Sequence, residues 1–238
     1  MKYTTDILSE IQTWCHYADP PAPPVEEINY GALYNWYAAT DARNITSAGW
    51  HLPTNAEFDI LITRIGGTIG GGDKLKEISP TVWWEQSTAH ETNEYGFNIR
   101  GAGYRGFTGT FTSLLIQSKL ATYDLIVGSP YNYLFIGGNQ SDIMKMTSPG
   151  GITEKTGTSI RPLKDSTALT HGQTGTYTGN DGKVYRTICI GTQEWLADNL
   201  AETKYRDGSD IPIVTDNAAW AALATGAMCY YNNDISNV

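Results

Sequence analysis

Apolar and polar residues alternate at helical spacing in the stretch that follows Pro53. Four apolar residues recur at intervals of three and four and so share one face of a helix: Phe58, Leu61, Ile62 and Ile65. Thr54 and Glu57 stand three residues apart before this stripe, as in a capping box, and Gly66 suits the left-handed C-terminal position. The pattern predicts an amphipathic helix between Thr54 and Gly66.

Residues 30–37 show a similar spacing. Tyr30, Leu33, Tyr34 and Tyr37 stand at positions i, i+3, i+4 and i+7, which predicts one apolar helical face. We expect these side chains to be core residues.

The first residues carry a third stripe, formed by Ile7, Ile11 and Trp14. A proline-rich stretch follows it, and closely spaced prolines favour an extended, semi-rigid spacer. We predict an attachment helix in residues 1–19, which gives a physical reason for self-association, with a trimer favoured. A linker in 20–29 and a domain in 30–238 follow. The alternative is a helix that folds back onto its own domain.

Short apolar runs broken by glycine continue from residue 68 to 165 and predict strands joined by long loops. The glycine-rich residues 66–74 lack the preceding strand and the following long helix of a phosphate cradle, so we expect a loop. Residues 166–175 are small and polar, which indicates a connector.

The C-terminal part, residues 176–238, has its own turn signals. Asn180, Asp181 and Gly182 separate two alternating segments, which predicts a hairpin. Thr215 or Asp216 can cap a short helix, and the following AMCYYNND predicts an extended run.

Composition supports a folded, loop-rich protein. Of 238 residues, 40% are hydrophobic and 17% charged, and the 25 Gly, 15 Tyr and 7 Trp suit short strands and turns. The net charge of −9 argues against nucleic acid as a partner, because a phosphate backbone needs a cationic surface.

The cysteines Cys15, Cys189 and Cys229 lack the dense, even spacing of a disulfide-built domain. Two buried thiols at Cys189 and Cys229 are favoured over a bridge between them. No apolar run resembles a signal-peptide core or a membrane span. We expect assembly in a cytoplasm or prior removal of an export signal.

Several longer stretches carry distinctive spacings of aromatic residues and glycine: YGALYNWYAA, GWHLPTNAEFDIL, GGDKLKE, NEYGFNIRGAGYRG, DGKVYRTICIGTQEWLADNLAETKYRDGSDIP and TDNAAWAALATGAMCYYNND. By these the chain resembles the Fibrobacter succinogenes major paralogous domain of secreted and lipid-anchored proteins of Bacteroidetes-like bacteria. The resemblance implies an α+β, C-type-lectin-like fold, in which two helices flank short, twisted, mixed and antiparallel strands. Long loops carry the binding face of such a fold.

The order of these stretches departs from the family. The part in residues 176–238 comes first in the family and runs into the part in 30–165, whereas here it follows. We predict a circular permutation, with Val238 close to Tyr30 in one chain. A domain swap between chains and a slice of a tandem array are the alternatives. Residues 112–165 also depart from the family, with Pro162 near the place of a family cysteine, so its binding surface cannot be carried across unchanged.

No sequence motif indicates catalysis. The four histidines, His16, His51, His90 and His171, are isolated and lack zinc-ligand spacing, so we expect structural or surface roles. The same broad fold houses formylglycine-generating oxidases with a reactive cysteine pair, but the resemblance puts Cys189 and Cys229 in the core. We predict no enzyme; such an oxidase is the unfavoured alternative. A thiol pair in an open pocket with basic neighbours would favour the oxidase.

Oxygen-rich residues 205–210 and 230–237 could hold calcium, which prefers six to eight oxygen ligands. Asp and Asn stabilise turns without an ion, and this interpretation is favoured. We therefore predict no metal site and no cofactor, with calcium as the alternative.

Surface recognition is the favoured activity. Tyr among Asn, Ser and Gly gives amphipathic contacts of low entropy cost, as in paratope loops. Residues 129–142 have this composition, and the contact candidates are Tyr131, Asn132, Tyr133, Asn139, Gln140 and Asp142. The alternative is that Tyr131, Tyr133 and Phe135 alternate as one buried face of a strand.

These observations predict a non-enzymatic, extracellular recognition or structural module that binds a host or cell-surface glycan or protein. The favoured setting is a bacteriophage virion, in a head or tail fibre or as a decoration protein, joined to other virion proteins by the N-terminal segment. The alternative is a secreted or surface-anchored bacterial adhesin-like protein.

Overall fold

The computed structural model describes residues 30–78, 83–85, 90–124, 132–147 and 154–238. The predicted attachment helix and linker, with Ile7, Ile11 and Trp14, lie outside these residues. No helix among the described residues is long and apolar enough to cross a membrane.

The described residues form an α+β fold dominated by three sheets. A two-stranded antiparallel sheet pairs β1 (Leu33–Tyr34) with β12 (Met228–Cys229). One five-stranded sheet has the order β2 (Trp50–His51), β8 (Leu163–Lys164), β11 (Gln193–Leu196), β10 (Val184–Ile190) and β9 (Thr174–Thr178). The other has the order β4 (Phe111–Leu114), β3 (Ala102–Arg105), β5 (Gln117–Ala121), β6 (Asn132–Gly137) and β7 (Ile143–Thr147). Only β3 and β5 are parallel neighbours within these described sheets.

The helices among the described residues are short and few. They are α1 (Trp36–Ala39), α2 (Asn55–Arg64), α3 (Gly71–Leu75) and α4 (Asn217–Ala221). Two 3₁₀ turns, Tyr231–Asn233 and Ile235–Asn237, end the chain. The predicted loop at residues 66–74 is wrong in part, because α3 occupies its second half and packs Leu75 into the core.

The prediction for α2 is confirmed. Thr54 Oγ1 accepts a hydrogen bond from Glu57 N, and Glu57 Oε2 accepts one from Thr54 N at 2.8 Å, which completes the capping box. The predicted stripe is buried, and Gly66 has a φ of 96°. Helix α2 packs against the second five-stranded sheet through Leu120, Leu134 and Ile136 and neighbouring apolar residues.

The predicted helical face in residues 30–37 is wrong as to secondary structure. Leu33 and Tyr34 are buried in β1, where they pair with Cys229 and Met228. Helix α1 begins only after Asn35, whose Oδ1 accepts from Ala38 N at 2.9 Å. Long-range strand pairing therefore overrides the local spacing. Tyr30 and Tyr37, also predicted as core residues, are only half-buried.

The C-terminal predictions are largely confirmed. Strands β9 and β10 form a hairpin around the turn at residues 179–183, although β9 begins inside the predicted connector. Asp216 caps α4 by accepting from Ala219 N at 2.7 Å. The predicted extended run at residues 227–234 is shorter than expected, because a 3₁₀ turn begins at Tyr231.

Residues 30–165 and 174–238 share one sheet and one core. Strands β2 and β8 of the first part hydrogen-bond within the same sheet as β9, β10 and β11 of the second. Tyr34 Oη donates to Glu202 O at 2.8 Å, and Arg161, which is buried, donates through Nε to Asn199 Oδ1 at 2.8 Å. Near the chain end, Tyr30 N donates to Asn237 O at 2.9 Å.

Candidate recognition surfaces

The turn between β6 and β7 carries three of the predicted contact residues. Asn139, Gln140 and Asp142 are exposed there. The buried Lys76 Nζ donates to Gly138 O at 3.2 Å, to Gln140 O at 2.7 Å and to Asp73 Oδ1 at 3.1 Å. The backbone of the turn is thus fixed from inside, while its amide side chains stay free to face solvent.

This turn borders a surface recess of about 500 Å³, lined by Thr68, Gln140, Ser141, Asp142, Ile143 and Met144. Asp142 Oδ1 accepts from Gly70 N at 2.8 Å, and Ser141 O accepts from Gly72 N at 2.7 Å. Gln140 and Asp142 therefore share one recess, and Asn139 is not part of its lining.

The other predicted contacts do not join this recess. Tyr133 is only 6% exposed and belongs to the core, so its prediction as a surface contact is wrong. The alternation of β6 turns its ring inward, opposite Ala121 on β5. Asn132 begins β6, but its side chain lies outside the described part of the structure. Tyr131 lies outside the described residues altogether.

A second concave surface, here called the loop pocket, was not predicted from the sequence. It measures about 400 Å³ and is lined by Ala39, Thr40, Asp41, Ala42, Asn44, Ile45, Thr46, His51, Leu52, Thr54 and Tyr123. Arg206 fixes the loop after α1, because its guanidinium donates to Thr46 O at 2.9 Å and to Ser47 O at 3.0 Å. Distant parts of the chain therefore set the shape of the loop pocket.

One wall of the loop pocket holds an imidazole between two carboxylates. His51 Nδ1 lies 2.6 Å from Asp165 Oδ1, and His51 Nε2 lies 2.9 Å from Glu57 Oε1. Each ring nitrogen of His51 therefore faces one carboxylate oxygen at hydrogen-bond distance. Burial raises the pKa of the Glu57 carboxyl, but bonds from Thr54 and His51 outweigh it and hold this pKa below its usual range. His51 is thus a wall residue that carboxylates hold on both sides.

Tyr123 stands at the rim of the loop pocket and is 57% exposed. Its backbone N donates to Pro53 O at 2.8 Å, which ties the end of β5 to the segment before α2. A phenol ring beside hydroxyl, amide and carboxylate groups offers an apolar platform with polar groups around it.

A family model described as the Fibrobacter succinogenes major domain matches residues 3–122. The chain belongs to this family. The match spans about half of the 238 residues and includes α2 and most of the residues that line the loop pocket. No curated protein and no solved structure matches the chain.

The two described cysteines of this family member are buried, free thiols, as favoured from the sequence. Cys189 lies in β10 and Cys229 in β12, which belong to different sheets. Burial, and to a lesser extent the charge of Glu194, raises the pKa of Cys189. Burial raises the pKa of Cys229 to about 12 despite the nearby Arg105. Neither thiol has the electropositive, open surroundings that favour a thiolate.

The acidic stretches form turns. Asp207 Oδ1 accepts from Ser209 N at 2.9 Å, and Asp234 Oδ1 accepts from Ser236 N at 2.9 Å, which are Asx turns. Asp210 pairs with Lys204 at 2.6 Å. Within the described ranges, no group of three or more His, Cys, Asp or Glu residues could hold a metal ion.

Proposed function

We propose that this family member is a non-enzymatic, extracellular recognition module that binds a glycan in the loop pocket. The observation that carries the proposal is the exposed Tyr123 ring at the rim of a cavity of about 400 Å³ with a fixed polar lining. An aromatic ring packs on the C–H face of a pyranose, while hydroxyl and amide groups bond to the sugar hydroxyls.

The electrostatics of the described residues support recognition over catalysis. The two thiols have raised pKa values. The imidazole of His51 is engaged on both sides by carboxylates, so it has no free nitrogen to act as a general base.

The setting that we propose is a virion fibre or decoration protein, with a surface-anchored bacterial adhesin as the alternative. Residues 1–19 would attach the domain and promote a trimer through Ile7, Ile11 and Trp14. Mass spectrometry of purified virions would support the first setting, and export to a bacterial surface would support the second.

We also propose that the fold is C-type-lectin-like, with the two halves of the family domain in circularly permuted order. The sheet shared by residues 30–165 and 174–238 supports completion within one chain. The bond from Tyr30 N to Asn237 O supports the joining of the two ends through a short linker.

A reordered variant tests this proposal. It keeps residues 1–29 first, places 171–238 next, and joins Val238 to Tyr30 through a short glycine linker before residues 30–170. We expect the same fold and a free energy of unfolding within about 1 kcal/mol of the original order, because only loop closure changes. The measurement is urea denaturation at two protein concentrations. A reordered chain that fails to fold, or unfolding that depends on concentration in both forms, would reject completion within one chain.

Replacing Tyr123 with Ala tests the glycan site. The probes are an array of bacterial cell-surface polysaccharides and calorimetry with the glycans that bind. We expect affinity to fall roughly thirtyfold, the effect of removing about 2 kcal/mol of contact from a Tyr at a binding surface.

The matched control is Phe107→Ala, since Phe107 is also exposed, at 44%, but lies in the turn between β3 and β4. Phe107→Ala should bind as the unmodified protein does. Equal losses in the two variants, or no bound polysaccharide on the array, would count against the loop pocket as a glycan site.

A further inference from the structure

The sheet of β4, β3, β5, β6 and β7 has a second side, away from α2. Strand alternation and register place Lys119, Tyr133, Phe135, Met144 and Met146 on this side, which we call the outer face. Leu120, Leu134 and Ile136 point to the opposite side and pack on α2. Phe135 and Met144 are half-buried, and Met146 is 37% exposed. Tyr133 is buried at one end of this face, where Phe135 packs against the core, so the accessible part is a strip of half-buried Phe135 and Met144 and exposed Met146 beside one amine.

Lys119 is unusual in this surface because its amine has no acceptor. The residue is only 6% exposed, and Nζ lies 3.3 Å from the ring centre of Tyr104 and 5.2 Å from that of Tyr133. Within the part of the chain that the structure describes, Nζ of Lys119 has no hydrogen bond and no ion pair. Ser118 Oγ on the same strand is fully enclosed, whereas Lys119 keeps 6% of its surface exposed.

A comparison with Lys76 shows which contacts the amine of Lys119 lacks. Lys76 is even less accessible, at 0% exposure, yet its Nζ bonds to three oxygens. A buried ammonium without such partners is costly, and ring faces replace only part of its hydration. Burial accordingly lowers the pKa of Lys119 to about 8. At neutral pH the amine is still mostly charged, so a bound anion would relieve this cost.

We propose that Lys119 and the outer face form an anion subsite that binds the carboxylate of an acidic sugar, such as a uronate or a sialate. The carboxylate pairs with Nζ, and the half-buried rings of Tyr104 and Phe135 contact the apolar face of the sugar. A single amine matches a single carboxylate. The protein's net charge of −9 disfavours a polyacidic peptide, which would be repelled as a whole. This subsite is separate from the loop pocket and does not depend on Tyr123.

The test is calorimetry of the full chain with two acidic sugars and their uncharged counterparts. These are galacturonate with galactose, and sialyllactose with lactose. We expect at least one acidic sugar to bind more tightly than its counterpart. Lys119→Met should lower the affinity for that sugar about tenfold or more, the value of a charge-assisted hydrogen bond. It should leave the affinity for the neutral counterpart unchanged.

The matched control is Lys145→Met, because Lys145 lies on β7 of the same sheet, points to the opposite side and pairs with Asp59 at 2.6 Å. It should leave acidic-sugar binding unchanged. Lys119→Met should not unfold the protein, since it removes an uncompensated buried charge. A second measurement avoids substitution altogether: in the unmodified protein, NMR titration should find the pKa of Lys119 raised from about 8 by the saturating acidic sugar.

Four outcomes would overturn the proposal. They are no preference for either acidic sugar, equal weakening by Lys145→Met, acetate that binds as tightly as the acidic sugar, and a polyglutamate peptide that alone binds through Lys119. Tyr123→Ala in the same titrations separates the two sites, because it should affect loop-pocket ligands and leave the preference for acidic sugars intact.

Discussion

Replacing Arg105 with Met is expected to lower the free energy of unfolding by about 3–5 kcal/mol, because it removes the donor of buried carbonyl oxygens, each of which costs about 1–3 kcal/mol when left unsatisfied. Arg105 is fully buried in β3. Its guanidinium donates to Gly109 O at 2.8 Å, Val214 O at 2.5 Å and Thr215 O at 2.9 Å. Methionine fills part of the space but removes this donor from Gly109 O and Val214 O, while Thr215 O keeps its bond from Asn233 Nδ2 at 3.0 Å.

The same guanidinium lies between two aromatic rings, 4.7 Å from the centre of Phe111 and 4.3 Å from that of Trp220. It therefore joins the second five-stranded sheet to the segment that leads into α4. Arg105→Lys should recover little of the lost free energy of unfolding, because an ammonium cannot reproduce the planar set of guanidinium donors or their stacking on the rings.

Urea denaturation measures the effect, with Arg64→Met as the matched control. Arg64 is exposed near the end of α2, so its replacement should leave the free energy of unfolding nearly unchanged. A loss below about 1 kcal/mol in Arg105→Met would mean that water satisfies the freed carbonyls, contrary to the expected buried network.

Local chemistry explains which elements the sequence could predict. The capping box and apolar stripe of α2 lie within twelve residues, and the β9–β10 hairpin depends on one turn. Leu33 and Tyr34 could not be placed in the same way, because their strand partners stand almost 200 residues later. Their local spacing fits a helix equally well, and only tertiary pairing decides.

The same contrast between local and long-range determinants holds for the recognition surfaces. The exposed turn at Asn139 and Gln140 could be predicted from composition alone. The loop pocket could not, since Tyr123 lines it from a distant segment and Arg206, from another, fixes its loop through Thr46 O. Tyr133 was misplaced because Tyr in a strand suits a buried and an exposed face about equally, and the register of β6 decides between them. A buried lysine such as Lys119 gives no local signal.

Replacing Glu202 with Gln is expected to remove most of the pH dependence of stability between pH 5 and 9. Glu202 is fully buried, and its carboxyl accepts from Asn180 N at 2.5 Å and Asp181 N at 2.7 Å. Burial, followed by the hydrogen bond and the negative charge of Asp181, raises the pKa of Glu202 from 4.5 to about 8. The native pair thus holds one proton on Glu202 up to about pH 8.

The direction in which stability changes with pH follows from the pH at which each state releases the Glu202 proton. Above pH 4.5 the unfolded chain releases this proton, while the native state keeps it until about pH 8. The stabilising contribution is complete below pH 4.5 and is lost as the pH rises through 8, a fall of about 3–5 kcal/mol. Burial raises the pKa of Asp181, but bonds from Glu202 and Lys183 outweigh it and lower this pKa to about 2, so Asp181 adds no slope in this range.

The free energies of unfolding of the unmodified protein and of Glu202→Gln, plotted against pH, should cross. Gln cannot titrate, but its amide nitrogen cannot accept a backbone N–H, so at pH 5 the variant should be about 1–2 kcal/mol less stable than the unmodified protein. At pH 9, where the ionised Glu202 faces the charged Asp181, the variant should be the more stable. Chemical denaturation at each pH measures both curves.

Glu194→Gln is the matched control, because Glu194 is also buried but has the opposite shift. Burial raises the pKa of Glu194, but bonds from Thr167, Lys164 and Thr187 outweigh it and hold this pKa below its usual range. Its contribution is therefore lost only as the pH falls, and its replacement should leave the slope between pH 5 and 9 in place. A flat curve for the unmodified protein would mean that Glu202 is ionised in the native state beside Asp181. The turn at residues 179–183 would then have to stabilise two adjacent charges through its backbone N–H groups and Lys183 alone.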